Sequence, residues 1–255
     1  MASAAALANI GVAITRPLEQ AQTLTQLIQD AAGTVISFPL IAISALNDYS
    51  QFDSVIADIQ HYDWLIFISS NAVENGMPRL LKQGVPQHLR FAAIGPVTAQ
   101  KLAEFGIEQT LIPQGKFDSE ALLSLPEMHA MQGKKVMVVR GVGGREVLAE
   151  TLKARGAEVS FAECYQRINP QHNCQALAQA YANKQLHSIV VTSSEAMRYL
   201  LDLAGTSAWL KQVTLCVNHA RIAELPLSMG FKTVIAEAPG DAAMLNLLLR
   251  IHTKS

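Results

Sequence analysis

Short runs of apolar residues alternate along the chain with segments in which apolar residues recur every three to four positions. The runs "WLIFIS", "KVMVVR" and "SIVVTS" are apolar without interruption, which is typical of parallel strands covered by helices on both faces. Segments such as "QAQTLTQLIQDA" and "EAMRYLLDLAG" have the helical period. This alternation predicts a doubly wound α/β fold. Strands are predicted at 10–15, 34–38, 64–69, 90–94, 109–112, 135–140, 158–163, 187–192, 213–217 and 233–236.

The same strand and helix pattern occurs twice. The segments "WLIFISSNAVENG" and "SIVVTSSEAMRYL" place Ser69 and Ser193 124 residues apart, and Arg16 and Arg140 are separated by the same offset. Self-similarity of this length indicates a duplicated domain rather than a short solenoid repeat. Two extended stretches, "TVISFPLIAIS" and "AEVSFAECYQRI", follow the first helix of each copy. Each is long enough to leave one sheet and enter another.

Composition limits the classes of partner. The chain has 255 residues, of which 50% are hydrophobic, enough to fill two modest cores. The net charge of −1 favours binding to neither nucleic acid nor an anionic membrane. Three cysteines without a CxxC pair suit reduced thiols, and no basic residue precedes Arg16 to form a signal peptide. We therefore expect a cytoplasmic protein whose opening segment, "MASAAALANIG", is a frayed arm.

Polar residues follow equivalent strands of the two copies. Ligands of parallel α/β sheets bind beyond the carboxyl ends of the strands, where helix N-termini present backbone N–H groups. Each of these polar residues is either an ordinary helix N-cap or a ligand donor. Their duplication favours a cleft between two lobes for one ligand with acidic groups at both ends. The residues are Ser69, Ser70 and Asn71 in one copy, and Ser193, Ser194 and Glu195 in the other.

The remaining motifs leave alternatives open. Arg16, Arg140 and Arg221 lie in strand-end loops, either as solvated charges or as carboxylate ligands. The segment "RGVGGRE" resembles a phosphate loop, but Glu146 stands where a GxGxxG motif has its third glycine, so a nucleotide-dependent enzyme is a rival that nucleotide titration would test. No metal-ligand spacing, GxSxG elbow or pair of catalytic carboxylates is present. We expect activity without a metal or a cofactor.

Several motifs in one order make the chain similar to the uroporphyrinogen-III synthase family. They are "ITRP" at 14–17, "IFISSNAV" at 66–73, "AIGPVTAQKL" at 93–102, "DSEALL" at 118–123, "VVRGVGGREVLAETLKARG" at 138–156, "CYQR" at 164–167, "VVTSSEAM" at 190–197 and "RIAELPLSMGF" at 221–231. The resemblance implies two similar doubly wound parallel-sheet domains joined by two extended crossing segments. It places the first domain at 1–37 with 168–255 and the second at 38–167.

The resemblance also implies an activity. Family members cyclise hydroxymethylbilane to uroporphyrinogen III, losing water and inverting the terminal pyrrole ring. Because the bilane also closes spontaneously to the unflipped isomer, catalysis would consist mainly of positioning and charge placement. The alternative is a bilobed small-molecule binding module without catalysis. We also expect a monomer.

The resemblance also implies a catalytic residue, and its substrate suggests binding residues. Tyr165 matches the tyrosine that the family places in its cleft and would donate a proton to the departing hydroxyl; otherwise it is an amphipathic tyrosine on a crossing strand. The substrate is a polycarboxylate, so it needs many N–H and hydroxyl donors. Those expected at helix N-termini are Ser70, Thr98, Gly143 and Ser194.

Overall fold

The chain divides by its internal contacts into two compact units. The computed structural model describes residues 5–144 and 146–253. Unit 1 consists of Met1–Ala42 with Ile168–Ser255, and unit 2 of Ile43–Arg167. The domain boundaries expected from the sequence, at 37/38 and 167/168, stay a prediction.

Strands and helices alternate through most of the described chain. The strands are β1 (Gly11–Ile14), β2 (Thr34–Ser37), β3 (Ala42–Ser44), β4 (Trp64–Phe67), β5 (Arg90–Ala93), β6 (Thr110–Leu111), β7 (Lys135–Gly141), β8 (Glu158–Ile168), β9 (Ser188–Val191), β10 (Thr214–Val217) and β11 (Thr233–Ile235). The helices are α1 (Leu18–Asp30), α2 (Ser50–Ile56), α3 (Ser70–Gln83), α4 (Pro96–Ala103), α5 (Ser119–Leu123), α6 (Val147–Ala154), α7 (Gln175–Ala182), α8 (Ser194–Ala204), α9 (Ala220–Ser228) and α10 (Asp241–His252).

Each unit is built around one sheet, and the two sheets have equivalent strand orders. Unit 1 has the order β11-β10-β9-β1-β2, with all pairings parallel. Unit 2 has the order β3-β8-β7-β4-β5-β6, and its pairings from β8 to β6 are parallel. If β11, β10, β9, β1 and β2 are matched with β6, β5, β4, β7 and β8, the two orders agree, and β3 is an additional edge strand of the unit 2 sheet. The predicted duplicated α/β fold is thus confirmed.

The central strands β1, β4 and β9 are buried on both faces because helices cover both sides of each sheet. In β1, Val12 and Ile14 pack with α1 and α10, whereas Ala13 packs in the opposite layer with α8 and α9. In unit 2, Leu65 and Phe67 pack in the layer of α3, and the intervening Ile66 packs in the layer of α5 and α6. This two-sided burial explains why the strands are continuously apolar in sequence.

The structure adds one strand and revises one expectation. Besides the ten predicted strands, the short strand β3 is present at the edge of the unit 2 sheet, so the stretch from 34 to 44 contributes to both sheets, in agreement with its predicted length. The opening segment is not frayed over its described part, because the Leu7 side chain is fully buried and its backbone N–H donates to Ala31 O at 2.8 Å. Residues 1–4 lie outside the described residues. No described helix is long and apolar enough to cross a membrane.

A partly buried histidine links helix α10 to the amino-terminal end of strand β9 in the unit 1 sheet. His252 Nε2 lies 2.7 Å from the hydroxyl of Ser188, which is fully buried. Burial, and secondarily the charge of His187, lower the pKa of His252. The folded state therefore disfavours protonation of this ring, whereas the unfolded chain takes up the proton near its ordinary pKa of about 6.5.

We expect the free energy of unfolding to decrease as the pH falls from about 6.5 towards the lowered pKa of His252, because the unfolded state then binds more protons. His252→Gln removes this contribution and should flatten the pH dependence in urea titrations between about pH 7.5 and 5. His129→Asn changes an exposed histidine and serves as the control. An unchanged pH profile in the His252 variant would contradict the assignment.

Candidate active site

Serine N-caps begin the helices that follow two equivalent central strands. The hydroxyl of Ser69, before α3, accepts a hydrogen bond from Ala72 N at 3.1 Å. The hydroxyl of Ser193, before α8, accepts from Glu195 N at 3.2 Å and Ala196 N at 3.4 Å. Both serines therefore cap helices at the carboxyl ends of their sheets, where the sequence pattern predicted them.

The polar residues next to these two serine caps differ in their hydrogen bonding between unit 2 and unit 1. Ser70 and Asn71 are partly exposed in the first turn of α3, and the Asn71 carbonyl accepts from Asn75 Nδ2 at 2.8 Å. In unit 1, the Ser194 hydroxyl oxygen is buried and has no hydrogen-bond partner among the described residues. The Asn218 side-chain oxygen, which follows the adjacent strand β10, is buried without a described partner as well. Such groups usually find a partner when a ligand or water is bound.

The three candidate arginines have different environments. Arg16 is held within unit 1, where it donates from Nε to the Thr192 hydroxyl at 3.1 Å and pairs with Asp241 at the start of α10. Arg221 is exposed in the first turn of α9. Arg140 lies near the end of β7 and is only 3% exposed. Burial of a guanidinium is costly unless anionic or polar groups surround it, so Arg140 is the most informative of the three.

The contacts of Arg140 only partly satisfy its guanidinium. Nε donates to Gly141 O at 3.2 Å and lies 3.6 Å from Glu163 Oε1, and the group stacks over the Phe161 ring at 4.4 Å. Among the described residues, Gly141 is the only hydrogen-bond acceptor of this guanidinium. A guanidinium has five N–H donors, so others remain available to an anion.

Arg140 faces a cavity of about 370 Å³ inside unit 2. The loop after β7 forms one side, where Gly143 and Gly144 have φ values of +70° and +110° that favour glycine. Gly143 N donates to Glu163 Oε1 at 3.1 Å. The complete lining consists of Ile68, Ile94, Asp118, Ser119, Val138, Arg140, Gly141, Gly143, Gly144, Leu148, Ala149, Phe161 and Arg167.

A β-bulge turns Tyr165 away from this cavity. The register between β7 and β8 pairs Arg140 with Glu163 but Gly141 with Tyr165, so one residue of β8 is extra. In a regular strand Tyr165 would share the face of Glu163. Instead it packs with Cys164 in the layer of α3.

The Tyr165 ring is buried, with 2% of the residue exposed, and its hydroxyl lies 3.2 Å from the Ser69 hydroxyl. It also lies against the backbone of Gly141, where an added Cβ would be 2.6 Å from the ring. The structure thus brings Tyr165 next to Ser69, while Arg140 and Gly143 share the cavity. Thr98, which is buried in α4, does not line that cavity.

Glu163 is the clearest residue that the sequence analysis missed. An acidic residue between the apolar residues Ala162 and Cys164 of β8 was the available signal. Asp118 also lines the cavity, but its carboxylate caps α5 by accepting from Ala121 N at 2.7 Å. Glu163 is therefore the acidic group that the structure places against Arg140.

Within the described part of the chain, neither a thiol nucleophile nor a metal centre is evident. Burial raises the pKa of Cys164 to about 12, that of Cys174 to about 11 and that of Cys216 to about 12, so these thiols are neutral near pH 7. In residues 5–144 and 146–253, no three His, Cys, Asp or Glu side chains are arranged to hold a metal ion. The groups present can place hydrogen bonds and charges against an anionic ligand.

Comparisons with known proteins agree with the fold and the motifs. The profile of the family described as "Uroporphyrinogen-III synthase HemD" matches residues 22–246. Uroporphyrinogen-III synthase of Escherichia coli strain K12 is 31% identical over 245 residues, covering 94% of this chain and 100% of that protein. The enzyme of the same name from Salmonella typhimurium strain LT2 is 33% identical with the same coverage.

A solved structure supports the fold independently. A mutant uroporphyrinogen III synthase from the extremely thermophilic bacterium Thermus thermophilus aligns with a TM-score of 0.61 and 18% identity, covering 96% of this chain and 100% of that chain. At this identity the likeness concerns the fold alone. Together with the profile match over most of the sequence, the comparisons show that this chain belongs to the uroporphyrinogen-III synthase family.

Proposed function

We propose that this chain catalyses the reaction of its family, the closure of hydroxymethylbilane to uroporphyrinogen III with inversion of the terminal pyrrole ring and loss of water. The family match supports the enzyme class. The proposed position of the substrate-binding site rests on the buried guanidinium of Arg140, which lies beside a cavity of about 370 Å³. A carboxylate of the substrate is the anion that this group would bind.

The proposed binding groups lie at the carboxyl ends of strands in each unit. In unit 2, Arg140 and the N–H of Gly143 would hold a carboxylate, and Ser70, Asn71 and Thr98 belong to the first turns of adjacent helices. In unit 1, the partnerless hydroxyl of Ser194 supports a role as a donor beside Ser193. Arg16 and Arg221 would contribute positive charge. These groups need no overall basic excess, in keeping with the net charge of −1.

Tyr165 and Ser69 would form a pair of coupled hydroxyls. If the buried phenol donates to the Ser69 oxygen, that oxygen receives hydrogen bonds from both Tyr165 and Ala72 N. The Ser69 proton is then free to point away from both. Ser69 is partly exposed, so it would pass this proton to the leaving hydroxyl of the bilane while the Tyr165 phenol passes its own proton to Ser69.

Besides the carboxylate-binding groups and the hydroxyl pair, the reaction requires only bond changes within the bilane. The carbon–oxygen bond of the hydroxymethyl group breaks as a proton reaches the oxygen, and water leaves. The resulting electrophilic carbon bonds to the substituted ring carbon of the terminal pyrrole, and the bond between that carbon and its bridging methylene breaks. The methylene then bonds to the free ring carbon, which gives up a proton to the donor pair. Because closure also occurs without an enzyme, holding the terminal ring in the inverted geometry decides the product. Buried donors that retain their orientation suit this task because they need not reorganise during the reaction.

The isomer ratio tests this proposal. Purified protein incubated with hydroxymethylbilane is expected to form mainly the type III isomer, whereas bilane alone forms type I. The products can be separated by chromatography after oxidation to porphyrins. Unchanged formation of type I in the presence of folded protein would contradict the proposed activity and would favour a binding module.

We also propose that the chain acts in the cytoplasm as a monomer, without a metal ion, a cofactor or nucleic acid. The three cysteines are free thiols, which suits a reducing compartment. The near-neutral net charge gives no electrostatic attraction for nucleic acid.

A further inference from the structure

Glu163 already occupies one donor group to which the proposed function assigns a substrate carboxylate, the Gly143 N–H, and it lies beside the other, Arg140. Its Oε1 atom accepts from Gly143 N at 3.1 Å and lies 3.6 Å from Arg140 Nε. One oxygen of an internal carboxylate therefore contacts both groups. We propose that Glu163 is a place-holding carboxylate that must be displaced when a substrate carboxylate binds, and that it thereby sets the affinity of this subsite. This inference rests on the proposed function.

The backbone fixes the position of the pair. Arg140 and Glu163 are directly paired in the parallel ladder of β7 and β8, immediately before the bulge. The Glu163 carboxylate is thus brought to the guanidinium by register, not by a mobile loop. The bulge that follows turns Tyr165 to the other face, so Glu163 alone of these two side chains faces Arg140.

The two side chains differ in their freedom to move. The Arg140 side chain is 4% exposed, and that of Glu163 is 30% exposed. The stacked guanidinium is enclosed, whereas Glu163 has access to solvent and can withdraw towards it. An incoming anion would therefore replace Glu163 at the Gly143 N–H, beside a stationary Arg140.

The charges of Arg140 and Glu163 explain how a place-holding carboxylate affects the binding of substrate and product. A buried guanidinium without an anion is strongly unfavourable, so Glu163 stabilises the empty subsite. A bound substrate carboxylate would take over this role, but Glu163 would repel it while remaining nearby. Substrate binding is then an exchange of one carboxylate for another, and so is product release. Glu163 consequently weakens the binding of both bilane and product.

The test is the KM of Glu163→Gln. The amide oxygen can still accept the Gly143 N–H bond, so the loop is retained, but the competing charge is gone. We expect KM for hydroxymethylbilane and the inhibition constant of uroporphyrinogen III both to decrease about 5- to 20-fold, given the short separation and partial solvent screening. Loss of a merely structural contact would raise KM instead.

Glu158→Gln is the matched control because Glu158 lies on the same strand and its side chain is 74% exposed, paired with Lys135 at 3.8 Å. Its KM should equal that of the parent. If Glu163→Gln fails to fold, Glu163→Asp keeps the charge but withdraws the carboxylate from Gly143, and a decrease in KM of about 2- to 3-fold is expected.

An unchanged or increased KM in a folded Glu163 variant would overturn the inference, provided that the parent forms the type III isomer. A parent that forms only type I would instead overturn the proposed function. The same assay therefore distinguishes the two failures.

Discussion

Gly11→Ala is expected to destabilise the protein by more than about 3 kcal/mol, or to prevent folding of unit 1. A Cβ at this position would lie 1.6 Å from Gln185 O and 2.7 Å from Gln185 C, both backbone atoms. Gly11 cannot move away easily, because its N–H donates to His187 Nδ1 at 3.0 Å and its carbonyl accepts from His187 N at 2.8 Å. Strand β1 would have to separate from the segment before β9. Urea unfolding of the purified variant measures the loss.

Gly106→Ala is the control for this substitution. Gly106 has a φ of +83° but open space around the position of a Cβ, so alanine should cost only about 1 to 2 kcal/mol through backbone strain. A Gly11 variant with no greater loss of stability than the Gly106 variant would show that the close approach of the backbone does not constrain this position.

Tyr165→Phe is expected to reduce turnover of hydroxymethylbilane about 10²-fold, at the low end of the range for general acid assistance. Hydroxide is a poor leaving group unless a proton accompanies it, and the phenol lies 3.2 Å from the Ser69 hydroxyl, the proposed donor. The substitution removes one oxygen and leaves the ring packed against Gly141. Because positioning of the substrate is retained, the remaining product should still be mainly type III. Steady-state rates and the isomer ratio report both quantities.

Tyr62→Phe is the matched control, since Tyr62 is also buried in the hydrophobic layer of α3. It should retain the parent rate. If the folded Tyr165→Phe variant is as active as the parent, Tyr165 neither donates a proton nor supports proton donation by Ser69. If it loses isomer selectivity instead, Tyr165 positions the substrate. Ser69→Ala should reproduce the loss of rate if the two hydroxyls act together.

The α/β repeat could be predicted from the sequence, because strands that are buried on both faces are continuously apolar, as in Trp64–Phe67. They could not predict the β-bulge, which depends on the pairing of β7 with β8 and not on local composition. Without the bulge, Tyr165 would be assigned to the face of Glu163. The short strand β3 also has too few residues for a clear period.

Some residues of the candidate site could be predicted from the sequence, and others could not. Helix caps such as Ser69 and Ser193 were found because they occupy fixed positions relative to apolar strands and helices. Glu163 was missed because a charged residue in a strand usually faces solvent, and its partner Arg140 is adjacent only across the ladder. Which residue of β7 lies opposite Glu163 depends on the register between β7 and β8, and a single sequence does not specify this register.

The strand order of unit 1 has a consequence for synthesis on the ribosome. Strand β1 lies between β2 and β9, and α1 packs against α10. After β2 has been translated, roughly 150 residues follow before β9, which takes on the order of 10 seconds at common elongation rates. Unit 2, encoded by that interval, can complete its sheet first. The nascent first segment must therefore wait with the β9 side of the apolar strand β1 unpaired, a period in which chaperone binding would protect it from aggregation.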